Sequence, residues 1–238
     1  MALQPVGRSD HGPDMTLFLP FLIVHITAGL AAVVVGFVPI FTRKGSRAHR
    51  LWGRLFAGLM AVLLICAWVM TALRFNTYFL ALSATASLYL FSGVRVLRRK
   101  RPDLRIEDRA RPLDWAATLG VIGMGLWVLI LLVTGRSDGP TTVSAALAFS
   151  ALSVGAWDVW RFSAPKSWPF SPHLWTYEHL AKMLGAYSAV LSAFSGNFLT
   201  ALPAPWSQLW PTVLFQCLIL GWIATKLVRK RRAVSCVG

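Results

Sequence analysis

Three histidines, His25, His49 and His179, each fall inside or at the mouth of a long apolar run. An imidazole in such a position can ligate haem or a metal, relay a proton, or hydrogen-bond a neighbouring helix. His49 and His179 are predicted at one depth and are candidate axial ligands of haem b, with Arg50 and Arg54 available to propionates or another anion. A polar path for a small solute or a proton would draw on His25, His49, Asp158, Glu178, His179, Asn197 and Gln216. A metal-dependent hydrolase would instead combine His49 and His179 with Asp158 or Glu178, although no HxxxH or HExxH pair preorganises such a site. The spacing predicts two ion pairs along single helices, Asp158 with Arg161 and Glu178 with Lys182.

The elements that must position these groups are membrane helices. Of 238 residues 56% are hydrophobic and 14% charged, a balance that needs the bilayer as solvent. About 20 apolar residues cross the hydrocarbon core, and seven runs qualify: Leu17–Phe41, Leu51–Leu73, Thr77–Leu97, Leu113–Thr134, Val143–Phe162, Tyr177–Leu202 and Trp210–Val228. The third and fifth carry several serines and are the weakest. The expectation is an all-α polytopic bundle with a polar N-terminal tail over 1–16, one transmembrane domain over 17–228 and a basic tail over 229–238.

Charge sets the orientation. Twenty of the 24 Lys and Arg residues lie in alternate gaps: Arg43–Arg54, Arg95–Arg111, Arg161 with Lys166, and Lys226–Arg232. The other side holds Arg8, Arg74 and Arg136. The positive-inside rule then puts the N-terminus outside and the C-terminus in the cytoplasm of a cell inner membrane. The net charge of +15 is confined to these gaps, so it reads as topology and attraction to anionic headgroups at the cytoplasmic face, not as nucleic-acid binding. Six tryptophans, Trp52, Trp115, Trp160, Trp175, Trp206 and Trp210, fall at predicted interfaces. Cys66, Cys217 and Cys236 show neither CxxC spacing nor an even count, so no disulfide framework or zinc knuckle is expected.

Helical phase groups the residues further. His25, Gly29, Ala32 and Gly36 share a face whose small residues admit a close neighbour. In the sixth run His179, Ala186, Val190, Ala193 and Asn197 share a stripe, which carries Asn197 about 27 Å from His179, toward the depth of His25. Gly185, Ser188 and Ser192 make an adjacent packing face. The stretch HRLWGR, 49–54, and the basic run before it read as a charged hinge, with His179 as its neighbour.

The pattern HITAGLAAVVVG with KGSRAHRLWGR, and HLAKMLGAYSAVLSAF followed by Asn197, resembles a widespread family of bacterial multipass inner-membrane proteins carrying a domain of unassigned function. The likeness covers the first two spans and the sixth. It implies His25, His49, Arg50, Gly53, His179 and the Gly185–Ala186–Tyr187 run as family-type positions. Lys182 stands where the family pattern places arginine. The resemblance implies an architecture but no reaction, so three functions stay open: a small-solute or proton-coupled permease, a haem b redox protein, and an accessory subunit that works with a copy of itself or another membrane subunit.

Overall fold

Inside a bilayer the backbone must satisfy its own hydrogen bonds, and each apolar run does so as a helix. The computed structural model describes residues 13–166, 173–199 and 201–235, and all the regular structure in them is helical. Seven α-helices follow one another: α1 (Pro13–Phe41), α2 (Arg47–Leu73), α3 (Thr77–Arg95), α4 (Pro112–Val133), α5 (Thr141–Ser163), α6 (Leu174–Phe198) and α7 (Trp206–Ser235). Two 3-10 turns, Val96–Arg98 and Ile106–Asp108, lie between α3 and α4.

Six helices, all but α6, are long and apolar enough to cross a membrane, which makes this an integral multipass membrane protein. The serine-bearing α3 and α5 are among the six. Half of the α3 span is buried against other helices, compared with 17% of the α1 span. Ser83 and Ser92 of α3 and Ser144 of α5 are buried against protein, where lower hydropathy costs little, while Ser153 of α5 is exposed. The outer faces of α1, α4 and α7 present Leu19, Ile23, Val34, Leu126, Ile130, Val213 and Leu220 outward, the surface that lipid tails cover.

α3 and α6 form the centre. α3 packs on α2, α4, α5 and α6, while α6 also meets α1 and α7. The core between α1, α2, α3, α6 and α7 holds Ala32, Phe56, Met60, Ala86, Leu90, Ala186, Tyr187 and Phe215. The predicted small stripe of α1 behaves as expected: Ala32 is fully buried, and a Cβ on Gly36 would stand 2.6 Å from the Phe56 ring. Tyr187 donates its hydroxyl to the Val33 carbonyl, tying α6 to α1.

Two boundaries differ from the sequence reading. The break between the first two helices is the turn 42–46, where Gly45 takes φ 78°, and HRLWGR itself is helical. Ser46 caps α2 by accepting the His49 N–H, so helix formation resumes before the histidine. At the other end α7 continues through Ser235, which makes the basic run 229–232 a helical extension and not a separate tail. Cys236 lies outside the described residues.

Candidate functional site

The polar groups gather where α3 and α5 end and where α4 and α6 begin. Lys182 of α6 donates to Asp158 of α5 and, at 2.6 Å, to Ser92 of α3, while Ser92 donates to the second Asp158 oxygen at 2.8 Å. All three side chains are buried, Asp158 completely. One turn nearer the helix ends, Arg161 of α5 grips Glu178 of α6 through Nε at 3.0 Å and Nη2 at 3.4 Å, and the Trp157 indole donates to the same carboxylate at 2.8 Å. A third pair joins Arg95 of α3 to Asp114 of α4 at 3.0 and 2.7 Å. Asp114 also accepts the Arg111 N–H at 2.9 Å and so caps its own helix.

The expected pairs along single helices are therefore exchanged for crossed ones. Asp158 takes Lys182, and Arg161 takes Glu178, each across the α5–α6 boundary. Burial explains the exchange. A pair along one helix sits on an outer surface, whereas a pair between helices takes both charges out of the hydrocarbon and neutralises them there. The buried charges Glu178 and Lys182 also lower the hydropathy of α6, the one long helix that falls short of the apolar length of the other six.

The three histidines share one hydrogen-bonding scheme. His25 Nδ1 lies 3.0 Å from the Leu63 carbonyl, His49 Nδ1 3.2 Å from the Pro39 carbonyl, and His179 Nδ1 2.8 Å from the Gly93 carbonyl. A carbonyl only accepts, so each neutral ring carries its proton on Nδ1 and keeps the Nε2 lone pair. His49, near the start of α2, and His179, near the start of α6, both lie at the basic end of the bundle. His25 stands apart, more than a dozen residues up α1. Arg50 and Arg54 are exposed on the outside of α2. Among the described residues no three His, Cys, Asp or Glu side chains cluster to hold a metal.

Asn197 does not enter the interior: it is exposed and donates to the Ala193 carbonyl of its own helix at 2.7 Å. Toward this end α6 buries a different face against α7, with Ser195 fully buried and accepting the Trp210 indole N–H. Ser188 and Ser192 serve the predicted packing face, both meeting the Thr212 hydroxyl, at 3.4 and 3.3 Å.

Above the ion pairs lies a cavity of about 110 Å³ between α3, α5, α6 and α7. Its wall is apolar for the most part, with Tyr89, Ser150, Ser188, Ser192, Thr212 and Gln216 supplying polar atoms. α5 and α7 flank it without packing closely on each other, so it faces sideways. The Tyr89 hydroxyl and Ser150 hydrogen-bond at 2.9 Å on its floor. Ser92 is one helical turn below Tyr89, and Lys182 one turn below the wall residue Gly185. Sequence reasoning missed Tyr89, Ser92 and Arg99; Tyr89 and Ser92, three apart, share one face of the third run, whereas Arg99 lies beyond it. No family model matches the chain, and it has no significant match among curated proteins or solved structures.

Proposed function

We propose that this protein is a seven-span inner-membrane permease that moves a small weakly acidic solute together with a proton. The observation that supports this reading is the Lys182–Asp158–Ser92 cluster directly beneath a lateral cavity of about 110 Å³. That volume lies between the roughly 10–15 Å³ a single water needs and the ~150 Å³ of a cavity that takes benzene, so the solute has only a few heavy atoms. Mixed hydroxyl and apolar walls suit a short amphiphile. A weak acid entering the cavity transfers its proton to the Asp158 carboxylate, and the resulting anion pairs with Lys182, which Asp158 no longer neutralises. Charge is conserved within the site at every stage, as a low-dielectric interior demands.

In this reading α6 is the seventh span. At 1.5 Å per residue its length exceeds the ~30 Å hydrocarbon core, and its charges are paired against α5. The basic ends then face the cytoplasm, with the N-terminus outside. The family resemblance of the first, second and sixth helices agrees with this architecture and bears on no substrate.

The test is proton flux in vesicles that hold purified protein and a trapped pH-sensitive dye, challenged with short carboxylic acids, phenols and amines. Carrier-dependent acidification by the acids, absent in Asp158→Asn, is expected. An equal response in Asp158→Asn, or none above protein-free vesicles with any acid, refutes the proposal.

A second reading rests on the imidazoles. Nδ1–H held by a backbone carbonyl is how proteins orient a ligating histidine, and it leaves Nε2 of His49 and His179 for haem iron. A Soret band after reconstitution with haem, lost in His179→Ala, would favour it over transport.

A further inference from the structure

One buried cation at the basic end has no ion pair. Arg99, Arg161 and Lys182 are buried there with Asp114, Asp158 and Glu178, and the partly exposed Arg95 joins them. Each carboxylate is taken by Arg95, Lys182 or Arg161, and Arg99 is left over. Its neighbours Arg98 and Lys100 are exposed, but the 3-10 turn over Val96–Arg98 swings Arg99 back under the bundle. There it is 8% exposed, with its guanidinium 4.7 Å above the Phe162 ring and no hydrogen-bond partner for Nε. The charges of Asp114, Asp158 and Glu178 reach it, yet none forms an ion pair with it. Stacking on a ring does not supply hydrogen bonds, and an unpaired buried guanidinium is costly.

Arg99 lines a small cavity of about 20 Å³ together with Arg109, Ala110, Pro165 and the paired Arg161 and Glu178. Asp108 is also on its wall, but accepts the Arg101 N–H at 2.9 Å and makes no pair with Arg99. A volume of that size admits one oxygen-sized atom and leaves the rest of a ligand at the mouth, where Arg109 is exposed.

We infer that Arg99, with Arg109 at the mouth, forms a phosphate-binding site between the ends of α3 and α5, in which one phosphate oxygen enters the cavity and pairs with the Arg99 guanidinium. The site is separate from the cavity between α5 and α7 and stands or falls independently of transport. Both a phospholipid headgroup and free phosphate carry this chemistry, and the position at the basic end suits either.

The experiment compares thermal unfolding of the full chain in phosphate-free maltoside detergent with and without added phosphatidylglycerol, and in the same detergent with inorganic phosphate or chloride at equal ionic strength. A specific ligand at about ten times its Kd should raise Tm by about 3 °C in a chain of this size. A rise with phosphatidylglycerol alone identifies the lipid headgroup, and a rise with inorganic phosphate identifies the free oxyanion; either supports the site. Arg99→Met should abolish the rise, and Arg109→Gln should halve it or more. The inference is overturned if neither source raises Tm in the wild type, or if Arg99→Met keeps the full rise. Should Arg99→Met fail to fold, the wild-type comparison and Arg109→Gln still decide.

Discussion

Removing Lys182 should strand Asp158, and the cost follows from the geometry. Asp158 is fully buried and the Lys182 side chain is 4% exposed, so neither charge is screened by water. Lys182→Met leaves a carboxylate whose one remaining partner is Ser92, and breaking a buried pair from one side costs about 3–5 kcal/mol. Asp158→Asn strands the ammonium at similar cost, while the double variant removes both charges and should lie within about 2 kcal/mol of wild type. Two singles of about 3 kcal/mol or more each, less about 2 for the double, give a coupling energy of at least ~4 kcal/mol, at the upper end of what residues in one network show. Reversible unfolding in a fixed detergent, with the four proteins side by side, measures it. Glu178 and Lys182, adjacent on α6, supply the contrast. Their coupling should not exceed the ~0.5 kcal/mol of an exposed pair four apart, because Glu178 is held by Arg161 and Trp157. Additive single variants at Asp158 and Lys182, or a larger coupling at Glu178 and Lys182, would refute the crossed pairing.

Gly185→Ala places a Cβ 2.6 Å from the Tyr89 ring and should destabilise by about 1–3 kcal/mol through overpacking. Gly53→Ala, with no atom within 4 Å, should be stabilising by up to ~1 kcal/mol, and unfolding of both variants checks the pair of signs. Nitrogen NMR of imidazole-labelled protein should find Nδ1 protonated in the neutral rings of His25, His49 and His179; Nε2 protonation at any of them contradicts its carbonyl bond. Lys44, in the turn after α1, donates to the Pro39 and Ile40 carbonyls, and partial burial lowers its pKa below the ordinary lysine value. The unfolded chain then holds more protons as pH rises from that lowered pKa to the ordinary one, so stability should increase across this window. Lys44→Met should flatten that alkaline rise in a series of unfolding curves.

The helices were legible because burial in lipid demands long apolar runs, and residues such as Leu19, Ile23, Leu126 and Leu220 carry that demand on their outward faces. The serines of α3 and α5 weakened the signal at those helices for a reason that hydropathy alone does not contain: Ser83, Ser92 and Ser144 face protein. Pairing was the least legible feature. Arg161 and Lys182 each have one carboxylate nearby along the chain and another across the helix boundary, and sequence spacing ranks only the first. Ala186 is fully buried as helical phase expected, whereas Ala193 and Asn197 on the same stripe are exposed, because α6 changes neighbours along its length. Arg99 was hidden inside a run of basic residues that topology already explained, and only the 3-10 turn beside it separates it from Arg98 and Lys100.

The most direct test of proton coupling follows the Asp158 proton itself. Difference infrared spectra of the membrane-reconstituted protein, taken with and without an acid that drives flux, report the carboxylic-acid C=O stretch of a buried aspartic acid. The account predicts a new protonated-carboxyl band on solute binding that is absent in Asp158→Asn. A wild type that gains no such band, or a band that persists in Asp158→Asn, would contradict it.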